Sequence, residues 1–401
     1  MSGPVLSSPR RIGEIDILRG FALFGILVTN VIVLTALLSF TGPNSEPTPV
    51  YDGTWDRLVY GLVFGLFLGK FYLLFAFLFG YSFTLQIAAA QRAGAAPVPR
   101  LLRRSGALFL IGLVHVTLLW LGDILTLYAL LCLILLLLRK IRPRPALITG
   151  LVLYALFSLL AFIPGPDNDT GVAALGNFLD LQRMREQYTG GVADTFFAQI
   201  HVGPVFMLFT WLAQGLPSLA MFLIGMAAGK KRVMEDAELL RRWTPRALVV
   251  GFGVALPVSI VTVVGQVRGG ALPSFWPGLQ ELVNPFLTVA YVAVVIWLTR
   301  SRWAGTVARL APAGRMAASN YIFQSIVLML VYTGYGLALA DRVPPATVVA
   351  IALVTFAVQL WLSAWWLRRH PYGPVEWLLR AATYRQWPAW QRVPAPEPAR
   401  A

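Results

Sequence analysis

Apolar runs long enough to cross a bilayer follow one another along almost the whole chain, separated by short polar stretches. A membrane-spanning helix needs about 20 mostly apolar residues. By that measure the runs predict about ten spans, at roughly 15–39, 69–90, 102–121, 123–139, 145–163, 204–228, 246–266, 282–300, 316–338 and 345–367. A further apolar stretch, 54–67, contains Gly61 and Gly65. It reads either as an interfacial or re-entrant helix or as an extension of the second span. The expected fold is therefore all-α, a polytopic integral membrane helix bundle without internal repeats or a soluble second domain.

Composition supports this pattern. Of 401 residues 57% are hydrophobic and 13% charged, and the mean hydropathy is +0.69. Soluble domains are nearer a quarter charged. The formal charge of +15 invites comparison with a nucleic-acid binder, but the basic residues sit in short loops, as topology signals do. Arg10 and Arg11 precede the first span. Arg92, Arg100, Arg103 and Arg104 follow the second, and Arg139, Lys140, Arg142 and Arg144 the fourth. Lys230 to Arg246 follow the sixth, Arg300 to Arg315 the eighth, and Arg368 and Arg369 the tenth. Every second loop is basic, which places both termini in the cytoplasm. The alternate loops carry Asp52, Asp56, Asp123, Asp167, Asp169, Asp180 and Glu186. This organisation gives a short N-terminal tail to residue 14, a membrane domain over 15–370 and a cytoplasmic tail over 371–401. The longest outer loop, about 164–203, holds an amphipathic surface stretch from Asn177 to Glu186, and His201 ends it. Cys132 is the single cysteine, so an intramolecular disulfide is excluded and core packing is its expected role. The first apolar run lacks a small-residue cleavage site and reads as a retained helix.

Within this apolar chain the few embedded polar groups carry the functional question, because ionisable residues in a span are costly. His115 lies inside the run Leu108–Leu121, with Asp123 just beyond it. In a straight helix the two would stand about 12 Å apart along the axis, too far to bond. A break at Gly122 would let Asp123 fold back. A neutral imidazole beside a carboxylate suits general-base activation of a hydroxyl or amine; a histidine that only bonds another helix is the structural alternative. Asp16 and Arg19 form an i,i+3 pair at the start of the first span. Asn30, about 16 Å further along, returns to nearly the same face. That stripe could line a path for a ligand with an anionic end, or anchor a helix end with Asn30 bonding a neighbour. Asn320 and Gln324 share a face at i,i+4, flanked by Ser319 and Tyr321, a pattern that more often joins helices than binds substrate. Glu376, Trp377, Arg380 and Tyr384 suit a cytoplasmic interfacial helix. No metal-ligand cluster, phosphate-cradling glycine loop or serine-hydrolase elbow stands out.

The segments Ile15–Asn30, Lys70–Gly80, Gly112–His115 with Gly122–Leu125, Gly314–Ser325 and Gly373–Arg380 together resemble the YeiB-type family of bacterial membrane proteins, a domain of unknown function. The family looks like part of a wider transmembrane acyltransferase superfamily. That group includes the lysosomal heparan-α-glucosaminide N-acetyltransferase and bacterial O-acyltransferases of surface polysaccharides, which share the opening Asp-x-x-Arg-Gly, here Asp16, Arg19 and Gly20. The resemblance implies a cytoplasmic-membrane enzyme that takes an acyl group from cytoplasmic acyl-CoA, such as acetyl-CoA, and delivers it to a sugar, lipid or cell-envelope acceptor outside. No metal is implied. Asp16, Arg19 and Asn30 would serve the donor, His115 and Asp123 the chemistry, and Asn320 and Gln324 the substrate. The polysaccharide enzymes carry a histidine near the end of their first helix, where this chain has Asn30. The lysosomal enzyme has an asparagine there and a catalytic histidine in the next loop, whereas residues 41–70 here contain none. His115 would have to take that role, and a site of this kind would be expected to bring His115, Asn30 and Asp123 to one cavity. The other reading is a transporter or lipid-binding protein of the same fold, which would be expected to show inverted halves. Membrane lipids, acyl donor and acceptor are the expected partners, nucleic acid is not, and a homo-oligomer is compatible with either reading.

Overall fold

A computed structural model describes residues 13–39, 51, 53–163, 180–269, 272–340 and 342–392. Arg10, Arg11, Asp52, Asp167, Asp169 and Asn177, used above for topology, lie outside the described residues. Among those described, every regular element is helical. In chain order they are α1 (Gly13–Ser39), α2 (Thr54–Leu62), α3 (Phe71–Arg92), α4 (Pro97–Leu118), α5 (Leu125–Leu137), α6 (Pro143–Leu160), α7 (Leu181–Thr189) and α8 (Val192–Lys230). They continue with α9 (Ala237–Arg268), α10 (Trp276–Thr299), α11 (Ala304–Ala308), α12 (Ala311–Arg315), α13 (Ala317–Tyr332), α14 (Pro345–Arg369) and α15 (Pro374–Tyr384). Eight helices, counting α2 with α3 as one, are long and apolar enough to cross a membrane. The shorter α5 and α13 occupy the two remaining expected spans. The chain is a multi-pass, all-α helical membrane protein.

The stretch 54–67 forms a helix that leads into the second span through a break. A π-helical turn, Val63–Phe67, ends α2, and Leu68 turns the chain with ψ 132°. Gly69 then adopts φ +84°, and a Cβ there would stand 2.3 Å from the Asn284 amide; only glycine suits that backbone and that space. The long helices also start earlier than their apolar runs. Asp194 accepts the Gly191 N–H at 2.9 Å, so α8 begins about three turns before the apolar run at 204. Pro204 lies inside the helix, the outer loop is correspondingly shorter, and His201 is an exposed mid-helix residue bonded to the Phe197 carbonyl. Asp236 caps α9 by accepting the Leu239 N–H at 2.9 Å.

The core is continuous through the bundle, from Leu23 and Leu27 on α1 to Leu127 and Tyr128 on α5, Phe222 on α8 and Tyr332 on α13. Cys132 is buried in it. Two contacts matter for function. At one end α12 lies so close to α1 that a Cβ on Gly314 would meet the Asp16 carbonyl oxygen at 1.8 Å, which brings Arg315 beside Arg19. At the other end α7 packs on α8 and α1 and is linked to the end of α4 through α8. Tyr188 donates to Gln199 Oε1 at 2.6 Å, and Gln199 Nε2 donates to the Val116 carbonyl at 2.6 Å.

Candidate functional site

The break after α4 is what builds the site. The amides of Leu119 and Trp120 both return to the His115 carbonyl, at 2.8 and 2.9 Å, which ends the helix with its last ring turned inward. The chain then reverses through Gly122 and re-enters as α5. Asp123 caps that new helix: its Oδ1 accepts from the Leu125 N–H at 3.2 Å, and its Oδ2 accepts from the Thr126 N–H at 2.8 Å and the Thr126 hydroxyl at 2.6 Å. A helix N-terminus favours a carboxylate, so a wholly buried Asp123 is tolerated here. Gly112, one turn before His115, leaves room for the reversal: a Cβ there would stand 2.7 Å from the Thr126 nitrogen and 3.1 Å from Asp123 Oδ2.

With the loop folded back, His115 and Asp123 do meet, at 2.9 Å between Nδ1 and Oδ1. The separation expected of a straight helix is abolished because the helix is not straight. The other ring nitrogen, Nε2, lies 2.8 Å from Ser325 Oγ on α13. Asp123, His115 and Ser325 thus form one hydrogen-bonded chain, with the three residues 0%, 1% and 2% exposed. A carboxylate on Nδ1 fixes the proton there and leaves the Nε2 lone pair to accept the serine O–H. Thr126 ties the chain to α8 by accepting the Trp211 indole N–H at 3.1 Å.

Tyr321, one turn before Ser325, stands against the histidine with ring centroids 5.1 Å apart. Its hydroxyl donates to the Gly122 carbonyl at 3.0 Å. It is also a wall common to two cavities. The first, about 140 Å³, is an arginine cavity that includes Arg19, Ser82, Gln86, Arg104 and Arg315. A neighbouring pocket of about 160 Å³ shares Gln86 and Arg104 and adds Arg100, Arg380 and Tyr384. Arg19 is held to Asp16 at 3.2 Å and to the Ser82 hydroxyl. The acidic group on this cavity, Glu376, is committed elsewhere: it caps α13 by accepting the Ala318 N–H at 2.7 Å and the Ser319 hydroxyl at 2.5 Å. Burial pushes the Glu376 carboxyl above its ordinary range, against the opposing pull of those hydrogen bonds. Arg103 fastens α15 from below, donating to the Thr383 carbonyl at 3.0 and 2.9 Å.

The second cavity, about 250 Å³, is an amide cavity that includes Thr29, Asn30, Tyr72, Trp120 and Gln214 among apolar walls. The Trp120 indole N–H is buried there with no hydrogen-bond partner among the described residues, a donor whose desolvation is left uncompensated by protein.

This geometry sorts the residues singled out in the sequence. Arg19 opens on the arginine cavity and Asn30 on the amide cavity, so the single polar stripe of α1 serves two compartments and Asn30 is not beside Arg19's ligand space. Asp16 is buried as the partner of Arg19. Asn30 lines a cavity, whereas His115 and Asp123 stand behind Tyr321 and the 119–124 turn rather than on its lining. Asn320 and Gln324 join helices: Asn320 donates to the Ala313 carbonyl at 3.0 Å and Ser363 at 2.9 Å, and Gln324 donates to Gln359 at 2.9 Å. Gln359 closes the set onto the Asn320 carbonyl at 2.9 Å. Ser325 was missed. Its only sequence signal is its place one turn beyond Tyr321 on a polar helix face, and its partner is 210 residues away.

Comparison with known proteins agrees with these motifs. Residues 228–386 match the model of a protein family of unknown function, DUF418. The chain is 34% identical to the uncharacterized protein YxaH of Bacillus subtilis, over 96% of each chain. It is 28% identical to an uncharacterized 39.9 kDa protein from the amylase 3′ region of Bacillus acidopullulyticus, over 94% of each. It is also 28% identical to the uncharacterized protein YeiB of Escherichia coli, over 69% of this chain and 74% of that one. The breaks, caps and polar chain described above are therefore set in a membrane bundle that belongs to the YeiB-type, DUF418 family.

Proposed function

We propose that this protein is a transmembrane acyltransferase of a bacterial cytoplasmic membrane, moving an acyl group from cytoplasmic acyl-CoA to a sugar, lipid or other envelope acceptor on the far side. The observation that carries the reading is the Asp123–His115–Ser325 chain, set beside the residue that walls two cavities of opposite character. The arginine-rich end faces the cytoplasm by the positive-inside rule. Arg19, Arg104 and Arg315 attract an anionic donor, and the pockets of about 140 and 160 Å³ suit its thioester arm and a phosphate, with the nucleotide at the surface. The amide cavity offers Asn30, Gln214 and the Trp120 N–H to an uncharged acceptor. His115, oriented by Asp123, is the general base.

Purified protein in lipid nanodiscs tests this. Acetyl-CoA should bind saturably, more weakly after Arg104→Ala, and His115→Ala should abolish CoA release while leaving binding intact. Wild-type protein that neither binds acetyl-CoA nor releases CoA from it would overturn the proposal. The transporter reading draws on a different observation. Lys70, fully buried at the break after the π-helical turn, interacts electrostatically with Glu281. Glu281 is held by Tyr154 at 2.6 Å and Asn284 at 3.0 Å, and buried charge in a span often marks an ion path. Proton-coupled flux in proteoliposomes, lost in Lys70→Gln and retained in His115→Ala, would favour that reading instead.

A further inference from the structure

We propose that Ser325 carries the acyl group between the two cavities as a serine ester, which makes the enzyme a two-step, covalent transferase. The inference rests on the acyl-transfer reading above. Its first support is the bond Ser325 makes. A hydroxyl that only fills a helix position closes onto the carbonyl four residues back, as Thr333 does at 2.6 Å and Ser158 at 3.0 Å. Ser325 also reaches its own such carbonyl, that of Tyr321, but in a long bond of 3.3 Å, and its short contact is with His115 Nε2 at 2.8 Å. The second support is the rigidity of the far end. Asp123 receives the Leu125 and Thr126 amides, the Thr126 hydroxyl and the imidazole, so the base is held at a fixed angle to the serine. A nucleophile, a base and an orienting acid in hydrogen-bond contact are the parts needed for covalent acyl transfer.

The third support is the compartment problem. Donor and acceptor spaces are separate cavities, and direct transfer would require the two substrates to meet through Tyr321. A carrier one turn along the same helix removes that requirement, because only the acyl group has to pass. Ser325 is 2% exposed, so Tyr321 has to swing aside. Its hydroxyl donates to the Gly122 carbonyl and meets the Ile124 backbone amide, both on the 119–124 turn, so the ring and that turn have to part for the acyl group to enter.

The chemistry balances with an acyl thioester as co-reactant. Ser325 Oγ bonds to the thioester carbonyl carbon while its proton passes to His115 Nε2. The C–S bond then breaks, and the thiolate leaves with that proton as CoA thiol. In the second half an acceptor hydroxyl bonds to the ester carbon, giving its proton to Nε2, and Ser325 recovers it as the serine C–O bond breaks.

The test incubates full-length protein in nanodiscs with acetyl-CoA and no acceptor, followed by intact-mass and peptide analysis. The expected result is one acetyl group on the peptide containing Ser325, resistant to neutral hydroxylamine, released at alkaline pH, and absent from Ser325→Ala. In Ser325→Cys the adduct should become a thioester that neutral hydroxylamine cleaves, a readout that packing alone does not produce. If Ser325→Ala binds acetyl-CoA and releases CoA at the wild-type rate, the serine is not the carrier and the acyl-transfer reading stands. If the wild type shows no saturable binding, adduct or CoA release, the acyl-transfer reading itself fails.

Discussion

Asp123 offers the most informative single change. Asp123→Ala removes the common acceptor of the Leu125 and Thr126 amides, the Thr126 hydroxyl and His115 Nδ1, in a place no water reaches. Each stranded donor costs about 1–3 kcal/mol, but the α5 start can relax, so the losses will not sum. With a neutral imidazole the change breaks hydrogen bonds and no ion pair, so a loss of about 3 kcal/mol, the upper end for one stranded donor, is the expected destabilisation. Asp123→Asn is a subtler probe. It fills the same volume and presents one acceptor and one amide donor. If the oxygen serves the α5 amides, the NH₂ faces His115, which must then accept at Nδ1 and carry its proton on Nε2. Ser325 would lose its acceptor. The asparagine variant should therefore lose about 1–3 kcal/mol yet lose His115-dependent activity as fully as His115→Ala, a drop of roughly 10²–10⁴-fold. Unfolding in mixed micelles measures the first quantity and CoA release from acetyl-CoA the second. An Asp123→Asn protein with wild-type turnover would refute the tautomer argument, and an Asp123→Ala protein of unchanged stability would refute the capping argument.

Further outcomes follow from neighbouring groups. Gly112→Ala places a methyl 2.7 Å from the Thr126 nitrogen and should cost about 1–3 kcal/mol through overpacking, with CoA release falling alongside; unfolding midpoints check it. Arg104 faces the arginine cavity near Glu376 and Arg380, so Arg104→Ala should weaken acetyl-CoA binding roughly 10- to 100-fold, by titration at two salt concentrations. Burial raises the Glu376 carboxyl above its unfolded value, so its titration contributes stability that is present at low pH and lost as pH rises through the raised value. Glu376→Gln should flatten the thermal stability profile across that window; an unchanged slope would dismiss the assignment.

The fold was readable because a bilayer imposes one length scale on apolar runs, and each expected span has its helix. Boundaries were less legible. Caps such as Asp194 on Gly191 and Asp236 on Leu239 extend α8 and α9 into polar sequence that hydropathy ignores. The candidate site was half legible. His115 and Asp123 announced themselves by cost, since charge inside a span demands a reason. Their contact depended on a reversal that periodicity cannot show, although Gly122 hinted at it. Ser325 looked like an ordinary helix hydroxyl until the fold brought α13 to α4. Asn30 and Arg19 share a helix face, yet helices packed around α1 divide that face between two cavities. Asn320 and Gln324 share a face because α14 needs partners there.

The central claim is acyl transfer dependent on His115, and one comparison addresses it most directly. Full-length protein and His115→Ala, both folded and reconstituted in liposomes with an envelope glycan and lipid fraction inside, are given acetyl-CoA outside, and free CoA thiol is followed with time. The account predicts saturable CoA release with acyl label appearing in the internal fraction, and a fall of at least roughly 10²-fold in the variant. Equal rates for the two proteins, or no release from the wild type, would contradict it.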